Sequence, residues 1–585
     1  MNHEIKVTNN FGLKMTSSVQ QLEEGVMEYT YTFSPNEAQR KSTENPVIHM
    51  KWSFPYVDIG YLWHPLCGTN RQIHADWSWP IQSMTSISAP IACLFSEDQK
   101  NRYTYALSEI REIVASRFGI HEEDGTLICT IEIPMKDFIM ENDYTLKLLE
   151  DRRDIPYYES IENVPQWWEK VCGIVPMQVP DEAQLPVYSS WYSYHQDLFA
   201  EEIEEECRLA SAMGFKTIIV DDGWQTMDNN RGYAFCGDWE MAEGRFPDFA
   251  AHVKKVHEMG MKYMIWYSVP YVGKQAKVWE KFKDKLLCYI EYQKAGVLDP
   301  RYPEVREFLI QNYEHAVRDW DLDGLKLDFI DEIYFREGSP EYRKGMDYAN
   351  VQEALEVMMR EISRRLTALK PNILIEFRQR YIGPNMRSFG NMFRVGDCPN
   401  SGITNRVGVA DLRLTSGNTA VHSDMLMWHK DEKPEIAALQ IINSIFATVQ
   451  ISIKLGNVPE KQVEMVRYWV QFMTDYRDML LRTPLIPYEP QTLYPILQTK
   501  KDDSTIIAVY VENKIIPLES SINHAVIMNG TKAQELFLRI SNSRTYHLIE
   551  KDCYGHVLRD EVRWFEAGIN IIPVTTAGQI YLEEC

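Results

Sequence analysis

The sequence predicts a multidomain α/β protein: a central (β/α)8 barrel, an N-terminal β-sandwich and a small C-terminal β-sheet domain. The chain has 585 residues, which is too long for one hydrophobic core. Over residues 185–480, apolar strands alternate with amphipathic helices, which is the pattern of a parallel barrel. Residues 1–178 and 485–585 contain short strands between polar turns, which is typical of antiparallel sheets.

The N-terminal part of the chain has the alternation of a two-layered sheet. Residues 29–33 and 127–133 place apolar and polar side chains on opposite faces of a strand. A proline-marked passage from Pro165 to Pro186 follows. We therefore expect the sandwich to end near residue 178.

The middle of the chain supplies the strands and helices of the barrel. Amphipathic helices are predicted over 200–213 and 351–369. An eighth strand is expected near 449–455, and the connection between Glu376 and Asp397 is too short for a full helix. The other strands are predicted within 187–194, 217–224, 263–270, 324–331, 373–380, 392–399 and 419–424.

The last part of the chain returns to short strands, for example over residues 504–511. The most apolar stretch of the whole chain, residues 437–453, is interrupted by polar amides. It also falls short of the ~20 apolar residues of a membrane helix. We therefore predict that this stretch belongs to the core and that the protein has no membrane partner.

Composition excludes several classes of partner. Hydrophobic residues make up 45% and charged residues 25% of the chain, as in ordinary globular proteins. The net charge of −23 and the lack of a basic tract argue against nucleic acid and anionic membranes. The 10 cysteines lack metal-binding spacing, so neither a metal nor a cofactor is predicted. No signal peptide is visible, so a cytoplasmic location is expected, with a trimmed export signal left open.

Polar side chains follow six of the predicted barrel strands. Catalytic groups of such barrels lie at the carboxyl ends of the strands, where all of these side chains would converge. Packing alone does not account for so many polar groups at one end of a barrel. The residues are Asp221, Asp222 and Trp224, then Trp266, Lys326 and Asp328, then Glu376 and Arg378, then Arg394 and Asp397, and finally His422 and Asp424.

Two of these acids fit the carboxylate pair of glycoside hydrolysis. Lys326 and Asp328 interrupt an apolar strand two residues apart and so point to the same face. The lysine is expected to keep Asp328 ionised, as a nucleophile requires, and a structural Lys–Asp pair is the alternative.

The second acid of the pair, Asp397, lies at a loop edge between Gly396 and Cys398. As a general acid it needs a raised pKa, and capping of a turn is its structural alternative. Arg394, three residues earlier, is expected to orient Asp397 or to bind a sugar hydroxyl.

The adjacent acids Asp221 and Asp222 suit bidentate hydrogen bonding to neighbouring sugar hydroxyls, with Trp224 as a stacking wall. A hard cation is the alternative, although no further ligand lies at short spacing. Motifs for dinucleotides, nucleoside triphosphates, zinc proteases and serine hydrolases are missing from the sequence.

Together, the motifs resemble the retaining α-galactosidases of glycoside hydrolase family 36, in the clan that includes families 27 and 31. The resemblance covers residues 185–480 and rests on Asp-Asp-Gly-Trp at 221–224, Gly-Asp-Trp at 237–239 with 245–249, Lys-Leu-Asp at 326–328 and Arg-Val-Gly-Asp at 394–397. It implies that Asp328 is the nucleophile and Asp397 the acid/base. It also implies that the sugar in the −1 subsite is held by Asp221, Asp222, Trp266 and Lys326.

In such enzymes the N-terminal domain lends an aromatic loop to the pocket. Residues 61–79 resemble that loop, with Trp63, His64, Trp77 and Trp79. Members of the family are often dimers or tetramers, so a homo-oligomer is possible. The implied ligand is an oligosaccharide or another glycoside.

One segment departs from the family pattern. After the fifth strand many members carry a Cys- and Gly-rich segment near the 2-position of the sugar, where this chain has Glu376 to Arg380. Arg378 and Arg380 would bind an anionic or acetamido substituent of the sugar or pair with Glu376, and the pairing is the expectation adopted.

The predicted function is that of a retaining α-glycosidase, with terminal α-linked galactose as the first choice of substrate. Retention predicts that the two carboxyl groups lie roughly 5–5.5 Å apart. An α-N-acetylgalactosaminidase, an α-glucosidase and a non-catalytic sugar-binding relative remain alternatives. Transglycosylation on the same intermediate also remains open.

Overall fold

The computed structural model describes residues 4–40, 46–135, 142–378 and 380–585, so Gln379 of the departing segment lies outside it. Within these ranges eight parallel strands form one sheet in the order β7-β6-β5-β4-β3-β2-β1-β8. Single bridges from His422 to Thr448 and from Leu426 to Ile451 bring its two edges together. The predicted barrel is therefore confirmed. Its strands are β1 (Val187–Ser189), β2 (Thr217–Val220), β3 (Lys262–Ser268), β4 (Gly324–Asp328), β5 (Leu374–Arg378), β6 (Met392–Arg394), β7 (Ala420–His422) and β8 (Gln450–Ile451).

Helices follow the strands and cover the outside of the barrel. The predicted helices Ala200–Met213 and Val351–Leu369 are confirmed. After β5 the described chain forms only the short 3₁₀ helix Pro384–Ser388, as expected from the limited length there. The remaining α-helices of this region are Trp191–Tyr194, Phe249–Glu258, Trp279–Phe282, Pro303–Asp319, Gly402–Arg413, Pro434–Ser444, Glu460–Asp475 and Arg477–Leu481.

The barrel strands are shorter than the sequence predicts, and some of the polar residues expected at their carboxyl ends lie in the loops that follow. β2 ends at Val220, so Asp221 and Asp222 begin the loop that follows. β6 ends at Arg394, three residues before Asp397. Asp221, Asp222 and Asp397 therefore stand beyond the ends of their strands, whereas Asp328 is the last residue of β4.

The N-terminal part contains two facing sheets. Their shared core includes Phe33, Trp52, Ile131 and Leu148. One sheet is built from Lys6–Asn9, Val47–Pro55, Thr126–Pro134, Val114–His121, His74–Ala75 and Ile81–Ser83. The other is built from Lys14–Glu23, Val26–Ser34, Tyr144–Asp151, Asn101–Leu107, Ile91–Phe95 and Tyr61–Trp63. The helices here are Glu37–Arg40, Tyr157–Glu162 and Val164–Cys172.

The C-terminal part also has two sheets, which share a core that includes Ile507, Leu538 and Leu548. The larger sheet is built from Leu485–Tyr488, Ile496–Lys501, Ser504–Val509, His524–Asn529, Gln579–Glu584, Arg544–Lys551 and Val557–Phe565. The smaller sheet is built from Ile515–Leu518, Glu535–Ile540 and Gly568–Pro573. Another small sheet, inserted between β3 and β4, is built from Tyr271–Gly273, Leu286–Ile290 and Ala295–Leu298. Among the described residues, no helix has the length and apolar character needed to cross a membrane.

Candidate active site

Asp328 ends β4 and is held by donors from several elements of the barrel. Its Oδ1 accepts hydrogen bonds from Arg378 Nε (2.5 Å), Tyr381 OH (3.1 Å) and the backbone N–H of Phe329 (2.6 Å). Its Oδ2 accepts from Trp266 Nε1 at 2.8 Å. Oδ2 is therefore the less engaged oxygen of a carboxylate that several donors orient.

The backbone turn after Asp328 is fixed by packing. Phe329 has φ of 61°, in the left-handed region that large side chains adopt rarely. Its ring packs on Tyr233 and Tyr271, with centroid separations of 5.0 and 4.8 Å. The guanidinium of Arg378 lies 5.0 Å from the centre of the same ring. This aromatic floor supports both the turn and the arginine that contacts Asp328.

Asp397 lies in the loop after β6 and is 40% exposed at its side chain, so it faces the opening of the barrel. Arg394 Nη2 donates to its Oδ1 at 2.8 Å, and Arg378 Nη1 lies 3.6 Å from its Oδ2. Burial raises the pKa of this carboxyl, but Arg394 and Arg378 outweigh burial and hold it well below its usual range. The expected raised pKa is therefore wrong for Asp397, because the sequence does not show that Arg378 reaches this acid.

The expected pairing of Arg378 with Glu376 is also wrong. Both residues point into the barrel from β5, but Arg378 extends outward to Asp328 and Asp397. Its Nη1 is buried and makes no hydrogen bond to any part of the chain that the structure describes. Glu376 lies deeper, where it accepts a hydrogen bond from Gln450 Nε2 at 2.5 Å. Arg380 instead contacts Asp331, through Nη2 to Oδ2 at 2.9 Å.

Lys326 contacts Asp221 and not Asp328. Its Nζ donates to Asp221 Oδ2 at 2.5 Å, and both side chains are buried. Residues two apart on a strand are separated by roughly 6.6 Å, so a long side chain reaches a neighbouring element more readily than its own strand. The expectation that Lys326 keeps Asp328 ionised is therefore corrected. The cation next to Asp328 is Arg378.

Asp222 is buried beside Asp221 and is bound by two amides. Gln196 Nε2 donates to its Oδ2 and Gln225 Nε2 to its Oδ1, each at 2.7 Å. Burial raises the pKa of Asp222 to about 7, and the nearby Asp221 and Asp328 add to the rise while the amides oppose it. The group is therefore an acceptor whose charge changes near neutral pH.

Trp224 does not form a wall of the site, contrary to the sequence-based expectation. Its side chain is fully buried, and its Nε1 donates to the backbone oxygen of Trp266 at 2.8 Å. The chain turns sharply at Gly223, which has φ of 118°, and a Cβ there would lie 2.6 Å from the backbone of Gln196. This turn sends the indole into an aromatic cluster with Trp239, Phe249, Tyr267 and Trp320.

The aromatic loop of the N-terminal part divides into buried and exposed residues. Trp63 is fully buried and donates from Nε1 to Asp411 Oδ1 at 2.8 Å, so it does not present a face to a ligand. Trp77 and Trp79 are 79% and 95% exposed. Because the side chain of Trp77 is so exposed, it is not packed against Asp328 or Asp397. Its role in sugar binding stays a prediction. His64 is buried, which lowers its pKa to about 4.

A layer of buried polar groups supports the site from below. Arg394, which contacts Asp397, also pairs with Asp424. Asp424 in turn accepts from Tyr192 OH at 2.9 Å and from the backbone N–H of Cys398 at 2.6 Å. His422 Nε2 donates to the oxygen of Ala183 at 2.7 Å. The loop that carries Asp397 is thus tied to the barrel on both sides of the acid.

Sequence reasoning missed several residues that contact the acids. Tyr381 follows Arg380 in a loop without a motif, and Gln196 and Gln225 lie among polar residues after β1 and β2. No local pattern distinguishes these side chains from surface residues. Asp424 was visible as a polar strand end, although its contact with Arg394 was not.

Comparison with known proteins agrees with this arrangement. Residues 174–380 match the Melibiase family model. The chain is 25% identical over 214 residues to "Alpha-galactosidase 1" of Pediococcus pentosaceus, covering 35% of this chain and 28% of that protein. It is 23% identical over 182 residues to an α-galactosidase of Escherichia coli, covering 30% of this chain and 26% of that protein. These alignments span only about a quarter of the relatives' length.

Solved structures show a likeness over the whole chain. An α-galactosidase from Lactobacillus brevis superimposes with a TM-score of 0.65 at 13% identity, covering 100% of this chain and 82% of that one. The α-galactosidase AgaA from Geobacillus stearothermophilus, in a complex with raffinose, gives 0.64 at 12% identity, with coverage of 98% and 82%. At these identities the likeness concerns the fold.

Fold and site together define a (β/α)8-barrel protein with paired carboxylates at the carboxyl ends of its strands, flanked by two β-sheet regions. The chain contains a segment that matches the Melibiase family model, and it is similar to α-galactosidases in sequence over that part of the chain and in fold over its whole length.

Proposed function

We propose that the protein is a retaining α-glycosidase that hydrolyses terminal α-linked galactose from oligosaccharides or other glycosides. The observation that carries this proposal is the placement of Asp328 and Asp397 on either side of one guanidinium, that of Arg378, at the open end of the barrel. Two carboxyl groups that face one sugar are the requirement of glycoside hydrolysis. The α-galactosidases to which the chain is similar support the choice of sugar.

The proposed reaction is a double displacement. Asp328 attacks the anomeric carbon while Asp397 protonates the leaving oxygen, which gives a β-linked glycosyl-enzyme. Asp397 then takes a proton from water, and the water oxygen displaces Asp328, so that an α-sugar is released. The less engaged Oδ2 of Asp328 is the proposed attacking atom, because Oδ1 already accepts from several donors.

The other predicted residues receive roles in holding the sugar. Asp221 and Asp222 are proposed to accept hydrogen bonds from neighbouring hydroxyls, and Lys326 to act through its contact with Asp221. Trp266 and Arg394 are proposed to orient the two acids as well as to border the sugar.

Arg378 is the observation that favours a second candidate, an enzyme with different −1 specificity. The side chain lies in the segment that departs from the family pattern, and its buried Nη1 has no hydrogen-bond acceptor within the described chain. Such a donor would bind an oxygen substituent of the sugar. However, its charge is already matched by Asp328 and Asp397, which disfavours an anionic sugar and leaves a neutral hydroxyl or acetamido group.

The test is hydrolysis of p-nitrophenyl α-galactoside, α-N-acetylgalactosaminide and α-glucoside by the wild type and by Asp328→Asn. We expect the galactoside to be preferred and the substitution to lower kcat by at least about a thousandfold, because the nucleophile is lost. Asp319→Asn, at an exposed acid on the outer helix Pro303–Asp319, is the matched control and should keep full activity.

The anomer of the first-formed galactose, observed by NMR, reports the stereochemistry, and the α-anomer is expected. Preference for another sugar would assign the second candidate. Unchanged activity of Asp328→Asn, or the β-anomer as first product, would contradict the proposed mechanism. No hydrolysis of any of the three glycosides would contradict the proposed activity itself.

A further inference from the structure

A cavity of about 420 Å³ lies at the amino end of the barrel strands, opposite the end that carries Asp328. Thr419, immediately before β7, and Thr448, two residues before β8, border it. Its volume lies within the range of small-ligand sites. None of the roles proposed above uses this end of the barrel, so a site here goes beyond the proposed function.

All three regions of the chain contribute to the wall of this cavity. The N-terminal part supplies Glu162 and Gln166, from the helices Tyr157–Glu162 and Val164–Cys172. The barrel supplies the amino ends of β7 and β8, and the C-terminal part supplies Leu485, the first residue of its first strand. A ligand in this place would contact the three regions at once.

Glu162 is a half-buried carboxyl that borders the cavity and has no donor of its own. It forms no hydrogen bond and no ion pair within the part of the chain that the structure describes. Burial raises the pKa of Glu162 to about 7, while the charge of Arg413 opposes this rise and that of Glu159 adds to it. An acceptor withdrawn from water is costly unless a partner supplies the missing hydrogen bond, so Glu162 points to a ligand with donors.

Arg413 also borders the cavity, and its guanidinium is fixed by the backbone. Its Nη1 donates to the oxygens of Phe446 and Leu480 at 2.7 and 2.8 Å, and its Nη2 donates to the oxygen of Thr483 at 2.7 Å. Two of its five N–H groups remain for a ligand. Because the charge of Arg413 offsets that of Glu162, the cavity favours a ligand without net charge.

Two amides complete the polar lining. Gln184 Oε1 accepts from Arg482 Nε at 2.6 Å, and Asn418 Oδ1 accepts from Arg387 Nη2 at 3.0 Å. Both amide nitrogens are left without an acceptor among the described residues. Apolar side chains form much of the remaining wall, and they include Pro165, Leu414, Val421 and Leu485. The lining therefore combines an acceptor, several donors and apolar surface, which suits the hydroxyls and C–H faces of a sugar or polyol.

We propose that this cavity binds a neutral polyhydroxy compound of monosaccharide size, whose hydroxyls donate to Glu162 and accept from Gln184 and Asn418. The site is separate from the proposed catalytic acids and does not depend on the reaction that they perform. Because its wall comes from three regions, an occupied site should slow the local opening of the segments that join them.

Hydrogen–deuterium exchange measured by mass spectrometry locates this binding. The probes are galactose, glucose and myo-inositol, each added to the whole chain. Peptides that cover residues 414–419 and 481–485, which border the cavity, should exchange about threefold more slowly with a probe than without it. Binding of a probe at the other end of the barrel leaves these peptides without a direct contact.

Gln166→Trp fills the cavity and should abolish the protection. Gln166 is exposed and makes no side-chain hydrogen bond to any described residue, so its replacement removes no bond that holds the fold. Gln471→Trp is the matched control, with the same substitution at an exposed position of the helix Glu460–Asp475 that does not border the cavity. The control should keep the protection of the wild type.

Glu162→Gln tests the acceptor with little change in volume. It should raise the Kd of the bound probe about tenfold, because a charged acceptor becomes a neutral amide. Glu159→Gln changes an exposed acid of the same short helix, outside the cavity, and should leave the Kd within about twofold of the wild type.

Three results would contradict the proposal at different points. Protection by none of the three probes, or equal protection of the wild type and Gln166→Trp, would show a cleft filled by solvent and overturn the site. Protection by glycine but by none of the three probes would assign a zwitterion and overturn the class of ligand. Equal Kd values for the wild type and Glu162→Gln would overturn the assignment of Glu162 as the acceptor.

Discussion

Arg378 contacts both proposed catalytic acids and so affects the charge of the site at two points. Its Nε donates to Asp328, and its Nη1 lowers the pKa of Asp397 together with Arg394. A general acid with a low pKa is protonated only in a small fraction of molecules at neutral pH. The proposed mechanism therefore requires that a bound sugar weaken the contact between Arg378 and Asp397.

The first prediction at this scale concerns pH. In Arg378→Met the pKa of Asp397 should rise, because an opposite charge is removed, so protonated acid persists to higher pH. The alkaline limb of kcat/KM for p-nitrophenyl α-galactoside should therefore move to higher pH. The maximal kcat/KM should fall roughly ten- to a hundredfold, since Asp328 loses a charged hydrogen bond.

Arg378→Lys keeps the charge and is the control, and the alkaline limb of its kcat/KM profile should lie close to that of the wild type. An unmoved limb in Arg378→Met would show that Arg378 does not set the protonation of Asp397.

At the scale of single elements, the barrel is held at the start of β4 as well as at its end. Asp323, the residue before β4, accepts hydrogen bonds from His257 Nε2 at 2.7 Å and from the backbone N–H of Tyr263 in β3 at 2.9 Å. Burial raises the pKa of Asp323, but these bonds, with Lys370 and Lys262, outweigh it and leave the pKa below its usual range. The carboxylate of Asp323 thus holds β3 against β4 at the amino end of the barrel strands, opposite the end that carries Asp328.

Asp323→Asn should destabilise the protein by roughly 1–3 kcal/mol at pH 7, because a buried, charged acceptor of several bonds is lost. A pKa below that of the unfolded chain means that the carboxylate stabilises the fold above about pH 4 and loses that effect as pH falls. The difference in Tm between variant and wild type should therefore shrink on acidification. Asp321→Asn, two residues away and largely exposed, should leave Tm nearly unchanged. A pH-independent difference for Asp323→Asn would rule out the charge as its source.

At the scale of the whole molecule, the three regions meet at Asp411. Trp63 and Arg71 come from the N-terminal sandwich, Asp411 from a barrel helix and Tyr494 from the C-terminal part. Tyr494 OH donates to Asp411 Oδ1 at 2.5 Å, so one carboxylate binds side chains of both flanking regions. Burial raises the pKa of Asp411, although the surrounding donors favour its charged form.

Trp63→Phe removes one donor from this junction with a small change in volume. We expect a lower Tm, equivalent to roughly 1–3 kcal/mol, and faster limited proteolysis in the passage 173–186 that joins sandwich and barrel. Trp469→Phe is the control, since that buried indole N–H has no hydrogen-bond partner among the described residues. If both variants lose the same stability and resist protease equally, the bond to Asp411 does not couple the regions.

The sequence by itself determined the architecture, because hydrophobic periodicity is a local property. Alternation of strands and helices located β4 and the helix Val351–Leu369, and the polar strand ends located Asp328 and Asp397. Those positions follow from the rule that polar groups of a parallel barrel collect at the carboxyl ends of its strands.

Only the tertiary structure decided which charged groups meet. Lys326 reaches Asp221, Arg378 bridges two acids far apart in the chain, and Trp224 is buried by the turn at Gly223. Spacing along a strand fixes the face on which a side chain stands but not the length and direction of its reach. The partners of long side chains, and the pKa values that depend on them, therefore emerged only once the barrel had brought distant strands together.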